Sequence, residues 1–323
     1  MGIEMKKNVL VTGGAGYIGS CTVNRLLKRG DKVTVYDNFL SSNQLPADKL
    51  DFIRGDIGDY ELLRKVLIDK NIDVVHHLAA LTSVGESVLF PQEYYLNNVI
   101  KGKYLLDALL DSNVKKIIFS SSCATYGMPL NTPVCEEEKQ FPVSPYGWTK
   151  LIFEQMLRDY DFAYGLKHII LRYFNVAGAG AEASGTCKSG YHIVPLLLDA
   201  ASRGKHFSIF GNDHNTYDGT CIRDYVHVLD AADAGIKSID YIVKDNKSDV
   251  FNIGSGRGTS VFEVIKAVEC VTEKKINIKI SKRRVGDPST LIADNTKAKE
   301  TLGWTPSNSS IHNIVETMSK KYY

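Results

Sequence analysis

No apolar run in this chain approaches the roughly 20 residues that a membrane-crossing helix requires. Near the N terminus, Val9-Leu10-Val11 is broken at once by glycines, too short for the core of a secretion signal. There is no C-x-x-C pair, since the six cysteines are scattered at 21, 123, 135, 187, 221 and 270. That spacing argues against a zinc site or a disulfide frame and suits reduced thiols. Charge of one sign is lacking too: Lys+Arg number 39 against 37 Asp+Glu, a net +2. A general polyanion binder is thereby excluded, and nucleic-acid binding has no compositional support. Internal repeats, low-complexity tracts and Pro/Ser linkers are absent. No H-E-x-x-H occurs, and His76-His77 simply adjoin a strand, so no metal is expected. What remains is a soluble, cytoplasmic protein of ordinary composition, 44% hydrophobic and 24% charged. Its 323 residues allow a large core and two lobes.

The first half alternates strands and helices. Strands are expected at Asn8 to Thr12, Lys32 to Tyr36, Asp51 to Arg54, Val74 to Leu78, Lys116 to Ser121 and His168 to Tyr173. Helices are expected at Tyr17 to Lys28, Asp59 to Ile68, Pro91 to Leu110 as one long element, and after Tyr146. Such alternation implies right-handed crossovers and a Rossmann-like, doubly wound α/β domain with a parallel sheet. It spans residues 1–175. After about Asn175 the rhythm loosens, with a Gly-rich polar stretch at Ala177 to Gly190 and short strands near Phe207 and Ile276 to Ile280. Residues 176–323 are read as a smaller C-terminal α/β substrate lobe over the carboxyl edge of the sheet. A segment at 226–253 is expected to return to the first domain.

Directly after the first strand stands Gly13-Gly14-Ala15-Gly16-Tyr17-Ile18-Gly19, opening a helix. Gly13 permits a tight turn, Gly16 lets backbone approach a pyrophosphate, and Gly19 allows close helix packing. The helix N-terminus adds amide hydrogens and a positive dipole. A glycine triplet alone also fits a merely structural turn. Asp37, ending the second strand, improves the case, because an acid at that distance accepts bonds from the adenosine ribose. Its charge would repel a ribose 2′-phosphate, which favours NAD over NADP. Asp56 after the third strand faces the adenine on this reading, although a surface-loop aspartate fits as well.

The strongest signal is Tyr146-Gly147-Trp148-Thr149-Lys150, preceded by Ser122 at a strand end. Tyr at i and Lys at i+4 share a helix face. The ammonium is therefore expected to lower a tyrosine pKa that is ordinarily about 10, making Tyr146 a general base near neutral pH. In isolation Y-x-x-x-K is common surface chemistry. Behind a dinucleotide loop and five strands it reads as a catalytic pair.

Long segments then establish a resemblance: Val11 to Ser20, Val84 to Ser87, Asn97-Asn98-Val99, Ser144 to Gly147, Leu171 to Asn175, Asp218-Gly219-Thr220, Arg223 to Val228, and Arg283 to Asp287. The chain resembles the extended short-chain dehydrogenase/reductase family, and within it the UDP-glucose 4-epimerases. This resemblance implies that Tyr146 removes the sugar O4 proton while hydride passes from C4 to NAD. Ser122 would bond O4, and Lys150 the nicotinamide ribose. The 4-keto sugar would turn about its diphosphate and take the hydride back on its other face. Implied cofactor contacts are Tyr17, Ile18, Asp37, Asn38, Asp56, Ile57, Leu78, Ala79, Ala80, Asn98 and Phe174, with the three catalytic residues. Implied contacts to the UDP-sugar are Asn175, His192, Ile193, Ser208, Ile209, Phe210, Arg223, Arg284 and Asp287. The arginines also make independent sense, since a diphosphate asks for fixed, permanently charged donors. The resemblance further implies a homodimer packed through the helix bearing Tyr94, Tyr95 and Tyr104 and the Tyr146 helix.

Some positions depart from the family pattern. Thr82 replaces a lysine that approaches the cofactor phosphates, and the strand end reads Ser122-Cys123-Ala124-Thr125-Tyr126 in place of S-A-T-V-Y. His192 stands where an asparagine meets the diphosphate, which makes affinity pH-sensitive. Leu291 occupies a position whose bulk governs whether an N-acetyl sugar fits, leaving the sugar pair open. A 4,6-dehydratase would carry an Asp-Glu pair where Cys123 and Ala124 stand. A non-catalytic NAD-bound regulator would be expected to lose part of the Ser122, Tyr146, Lys150 set, and all three are present.

Overall fold

The computed structural model describes residues 6–40, 50–180, 192–284 and 286–322. Most of the expected Gly-rich polar stretch, residues 181–190, lies outside them.

The chain runs β1 (Asn8–Thr12), α1 (Tyr17–Arg29), β2 (Lys32–Asp37), β3 (Asp51–Arg54), α2 (Tyr60–Asp69) and β4 (Val74–His77). There follow α3 (Val84–Leu89), α4 (Pro91–Tyr95), a π turn (Leu96–Ile100), α5 (Lys101–Asp111) and β5 (Lys116–Ser122). A 3₁₀ turn (Cys123–Thr125) leads to α6 (Pro145–Tyr164), β6 (Lys167–Tyr173), β7 (Asn175–Ala177), α7 (Ile193–Arg203), β8 (His206–Phe210) and β9 (Ile222–His227). Next are α8 (Val228–Asp245), β10 (Asp249–Ile253), β11 (Gly258–Ser260), α9 (Val261–Thr272), β12 (Asn277–Ser281), β13 (Thr290–Leu291), α10 (Thr296–Leu302) and α11 (Ile311–Tyr322).

Seven strands form one sheet in the order β10-β6-β5-β4-β1-β2-β3. Every pairing in it is parallel. Both faces are covered, so its central strands carry apolar runs: Val9, Leu10 and Val11 have no exposed surface. On one face Val23 and Leu26 of α1 pack with Ala231, Ala234 and Ile239 of α8. On the other, Leu63, Leu105, Phe153 and Leu157 join α2, α5 and α6. The chain order reverses between β1 and β4, and such a switch point opens a crevice at the carboxyl ends of the strands. α8 and β10 return to this layer, with Asp249 to Ile253 in register with Ile169 to Tyr173. The remaining strands make two small sheets, β11-β9-β13 with β7 on β9, and β12-β8, around a separate apolar cluster.

The expected strands stand within a residue or so of their predicted ends. The long helix also runs over its expected length, but not as one regular element. Between Tyr95 and Lys101 it widens into the π turn, because Asn98 turns inward to bond the chain after β4.

Candidate active site

The turn after β1 is built for close approach. Gly13 has φ +72°, and a Cβ there would lie 2.6 Å from the Ala79 amide nitrogen. A Cβ on Gly19 would lie 2.2 Å from the Gly13 carbonyl oxygen, so α1 rests directly on the turn. Gly16 is the N-cap of α1 and carries no side-chain cap. The helix therefore offers its N-terminus and positive dipole to whatever enters. Leu78, Ala79 and Ala80 leave β4 opposite this turn, Leu78 donating its amide to the Thr12 carbonyl at 3.0 Å.

Asp37 ends β2 beside the turn and is 7% exposed. Its carboxylate accepts from the Ala15 amide at 3.0 Å and the Phe39 amide at 2.8 Å, which locks its orientation and leaves lone pairs to spare. Asn38 donates to Asp56 at 3.0 Å, as does Lys101, and the Gly58 amide reaches the other oxygen at 2.8 Å. Burial works against the Asp56 charge, but these donors outweigh it and hold its pKa below the ordinary value.

Several expected cofactor contacts turn their side chains elsewhere. Ile57 is buried in the core between the sheet and α2. Phe174 packs with Cys123, Tyr126, Val134, Leu291 and Ala293. The Tyr17 hydroxyl donates to the Gly178 carbonyl, and Ile18 packs toward Cys21 and Val228. Asn98 has both amide hydrogens committed, to the Leu81 carbonyl and to Thr149 Oγ1, while its oxygen accepts from the Leu81 amide.

α6 starts sharply: Ser144 caps it, accepting from the Gly147 amide at 3.2 Å, and Pro145 takes the first turn. Its buried face carries Tyr146 and Lys150 toward the end of β5, where Ser122 caps the 3₁₀ turn. Lys150 Nζ donates to the Ser120 carbonyl at 2.7 Å and stands 5.9 Å from the centre of the Tyr146 ring. The pair's electrostatics differ from expectation. Burial pushes Tyr146 up to about 12, with the Ser122 hydroxyl pulling the other way. Burial also brings Lys150 down to about 7, against the opposing charge of Glu154. Desolvating a phenolate costs more than these neighbours return, so the protein groups alone do not lower the Tyr146 pKa.

In the second lobe Asp287 lies between the two arginines. Arg284 Nε is 3.1 Å from one of its oxygens and Arg223 Nη2 3.6 Å from the other. The Arg284 guanidinium also lies 4.6 Å from the centre of the Phe210 ring. On β8 the strand alternation exposes Phe210 but buries the Ile209 side chain in the lobe core, leaving its backbone to border a ligand. Ser208 is half-buried beside it. Asn175 begins β7 in register with Tyr225. His192 is the N-cap of α7, with Ile193 the first helical residue. Although His192 keeps much of its surface exposed, crowding by protein around the ring lowers its pKa. Leu291 is 7% exposed and pairs in register with Arg223.

Three buried groups near the site escaped the sequence reading. Glu154 and Arg172 form a pair at 2.8 Å within the sheet–helix interface. Asp224 accepts from the Ser255 and Gly256 amides, the Ser255 hydroxyl and the Ala293 amide, joining three segments behind Arg223. For Glu154 a signal existed: it is one further i+4 step beyond Tyr146 and Lys150.

Comparison with known proteins agrees with this layout. Residues 9–254 match the NAD dependent epimerase/dehydratase family. A UDP-glucose 4-epimerase of Rhizobium meliloti (strain 1021) is 45% identical over 302 residues, 93% of this chain and 92% of that protein. The crystal structure of UDP-glucose 4-epimerase from Brucella ovis in complex with NAD superposes with a TM-score of 0.93, at 41% identity and 98% coverage of both chains. That of the enzyme from Bifidobacterium longum in complex with NAD+ and UDP gives 0.89, at 38% identity and 96% of both chains.

Proposed function

The chain belongs to the NAD dependent epimerase/dehydratase family, and we propose that within it this protein interconverts UDP-glucose and UDP-galactose. The observation that carries this is that Tyr146 and Lys150, on the buried face of α6, meet Ser122 and Ser120 at the carboxyl end of β5, in the same parallel sheet whose β1 ends in the Gly13–Gly19 turn. The turn fits NAD, because Gly13 and Gly19 let its backbone pack tightly against the chain after β4 and against α1, Gly16 leaves the N-terminus of α1 without a side-chain cap, and Asp37 presents an anchored carboxylate. Bound there, NAD supplies a hydride acceptor for the sugar C4 and a positive charge that favours a phenolate. Asp37 discriminates against a 2′-phosphate.

The rest is done by the chain's own groups. Ser122 bonds the sugar O4, and Tyr146 takes the O4 proton and later returns it. Lys150, tethered to Ser120, carries the charge that stabilises the phenolate. Arg223 and Arg284, held apart by Asp287, grip the diphosphate, while His192 and Ile193 at the start of α7 and Ser208 with Phe210 on β8 border the nucleotide. The 4-keto sugar turns about its diphosphate bonds and is reduced on the opposite face. Residues 1–175 with the return segment 226–253 make the NAD-binding domain, and 176–323 otherwise the nucleotide-sugar lobe; the β10–β6 pairing supports that division. A cytoplasmic homodimer is part of the reading. It is supported by apolar side chains exposed on α3 to α5 and by free thiols at all five described cysteines. Among the described residues no helix is long and apolar enough to cross a membrane.

The test is incubation of purified protein with UDP-glucose, UDP-galactose, their N-acetyl forms and UDP-pentoses, with products resolved by chromatography. Inversion at C4 of the first pair is expected. Inversion of only an N-acetyl or pentose pair would move the assignment to that sugar, with Leu291 the residue to examine. A 4-keto-6-deoxy product would replace epimerisation with elimination.

A further inference from the structure

Along α6, Tyr146, Lys150 and Glu154 follow one another at i, i+4 and i+8, all buried. Along β5, Ser122, Ser121 and Ser120 meet the same face. Ser122 faces Tyr146, the Ser120 carbonyl accepts from Lys150 Nζ at 2.7 Å, and Ser121 Oγ donates to Glu154 Oε1 at 2.6 Å. Helix and strand are thus joined by three rungs, two of which belong to the site already described.

The third rung is saturated. Glu154 has no exposed surface, yet it accepts from Arg172 Nε at 3.1 Å and Nη2 at 2.8 Å, from Gln140 at 3.2 Å and from Arg158 at 3.1 Å, besides Ser121. Five donors on one carboxylate keep it ionised: burial opposes the charge, but they prevail and lower its pKa. A permanent buried anion one helical turn from a buried ammonium is an electrostatic fixture.

We propose that Glu154 is a positioning residue whose buried carboxylate keeps Lys150 charged and in register with β5. The proposal rests on the epimerase reading for what Lys150 does, though not for its charge. Among the groups around Lys150, Tyr146 and Glu154 come from its own helix, and His77 comes from β4, held neutral by burial. Around Glu154 stand Arg172 from β6, Arg158 from α6, and Tyr126 and Glu136 from the segment before α6, which Arg172 also bonds. Of these, Glu154 alone raises the pKa of Lys150, which burial has brought to about 7. Without it Lys150 loses its proton at lower pH.

The experiment is a lysine side-chain NMR titration of the purified unliganded protein, with the Lys150 resonance assigned through Lys150→Arg. It is run on wild type and Glu154→Gln, with UDP-glucose turnover measured over the same pH range. The variant is expected to titrate lower by about one pH unit or more, and the alkaline limb of turnover to move down with it. Should Glu154→Gln strand Arg172 and fail to fold, the double variant Glu154→Gln/Arg172→Met removes both buried charges and takes its place. Lys150 titrating as in wild type in a folded variant overturns the proposal, because a merely structural role lowers turnover without moving the titration. A wild type that never turns over UDP-glucose, with the titration nonetheless shifted, overturns only the epimerase reading.

Discussion

In the proposed reaction Tyr146 is the residue on which the chemistry turns, and its surroundings set the size of the expected effect. Burial holds the phenol neutral, so its proton exchange depends on Ser122, Lys150 and the bound cofactor's charge acting together. Tyr146→Phe keeps the ring and its edge contact with Tyr94 while removing the only oxygen. Stability should change little and turnover should fall about 10²–10⁴-fold, the usual worth of positioned acid-base help. Steady-state rates beside a denaturation curve check this, and a rate near wild type would end the proton-relay assignment. His192 offers a second residue-scale expectation. Its pKa lies below the ordinary value of about 6.5, so the free protein carries a neutral ring at pH 7. A diphosphate beside it would raise that pKa, and linkage then tightens UDP binding as pH falls below about 6.5. Calorimetric titration of UDP at several pH values, with His192→Asn as reference, should show the dependence only in wild type.

Among the elements, the π turn has the clearest energetic content. Asn98 reaches from it to satisfy both backbone groups of Leu81 and also bonds Thr149 on α6, so one side chain ties three segments together. Asn98→Ala removes the side-chain partner of the part-buried Leu81 amide and carbonyl, while Thr149 Oγ1 keeps its bond to the Tyr146 carbonyl. Each such group costs about 1–3 kcal/mol, so a loss of at least about 2 kcal/mol is expected from urea unfolding. A variant as stable as wild type would mean the turn holds without its side-chain tie.

For the molecule as a whole, buried histidines set the acid limit. His76 has no exposed surface and, among the described residues, no hydrogen-bond partner for either ring nitrogen, and Gly235 of α8 presses on it so closely that a Cβ there would lie 2.4 Å from its ring. Burial pushes both His76 and His77 down to about 3. Their folded pKa is below the unfolded one, so the unfolded chain binds more protons between about 6.5 and 3. Stability is therefore full above about pH 6.5 and falls as pH drops through that window. The melting temperature should already decline between about pH 6.5 and 5, above the carboxylate range, and less steeply in His76→Leu. Parallel slopes would show that His76 is not the group responsible. A second whole-molecule expectation concerns assembly. Leu96, Ile100 and Tyr104 recur every four residues and are 44%, 49% and 40% exposed, with Leu89 and Phe90 close by in the chain. An exposed apolar row of this kind is what the proposed dimer would bury. Sedimentation should find a dimer in wild type and a monomer in Ile100→Glu, and a monomeric wild type would remove the dimer from the reading.

What the sequence determined by itself was local. The strand, glycine turn and helix at Asn8 to Arg29 could be read because each signal lies within about twenty residues and each glycine answers a nearby backbone constraint. The Tyr146–Lys150 pair was equally legible, because helical spacing alone puts both on one face. Tertiary structure decided the rest. Asn98 sits in a π turn that widens its helix and meets Leu81, 17 positions earlier, and nothing in the helix's own pattern signals that partner. Ile57, Ile209 and Phe174 belong to site segments yet face the core, a choice made by the layers packed against them. The charge states of Tyr146, Lys150 and Glu154 were settled last, by how completely distant segments exclude water from one side of α6. Spacing fixes which groups can meet; desolvation, a property of the whole fold, fixes which of them carries a proton.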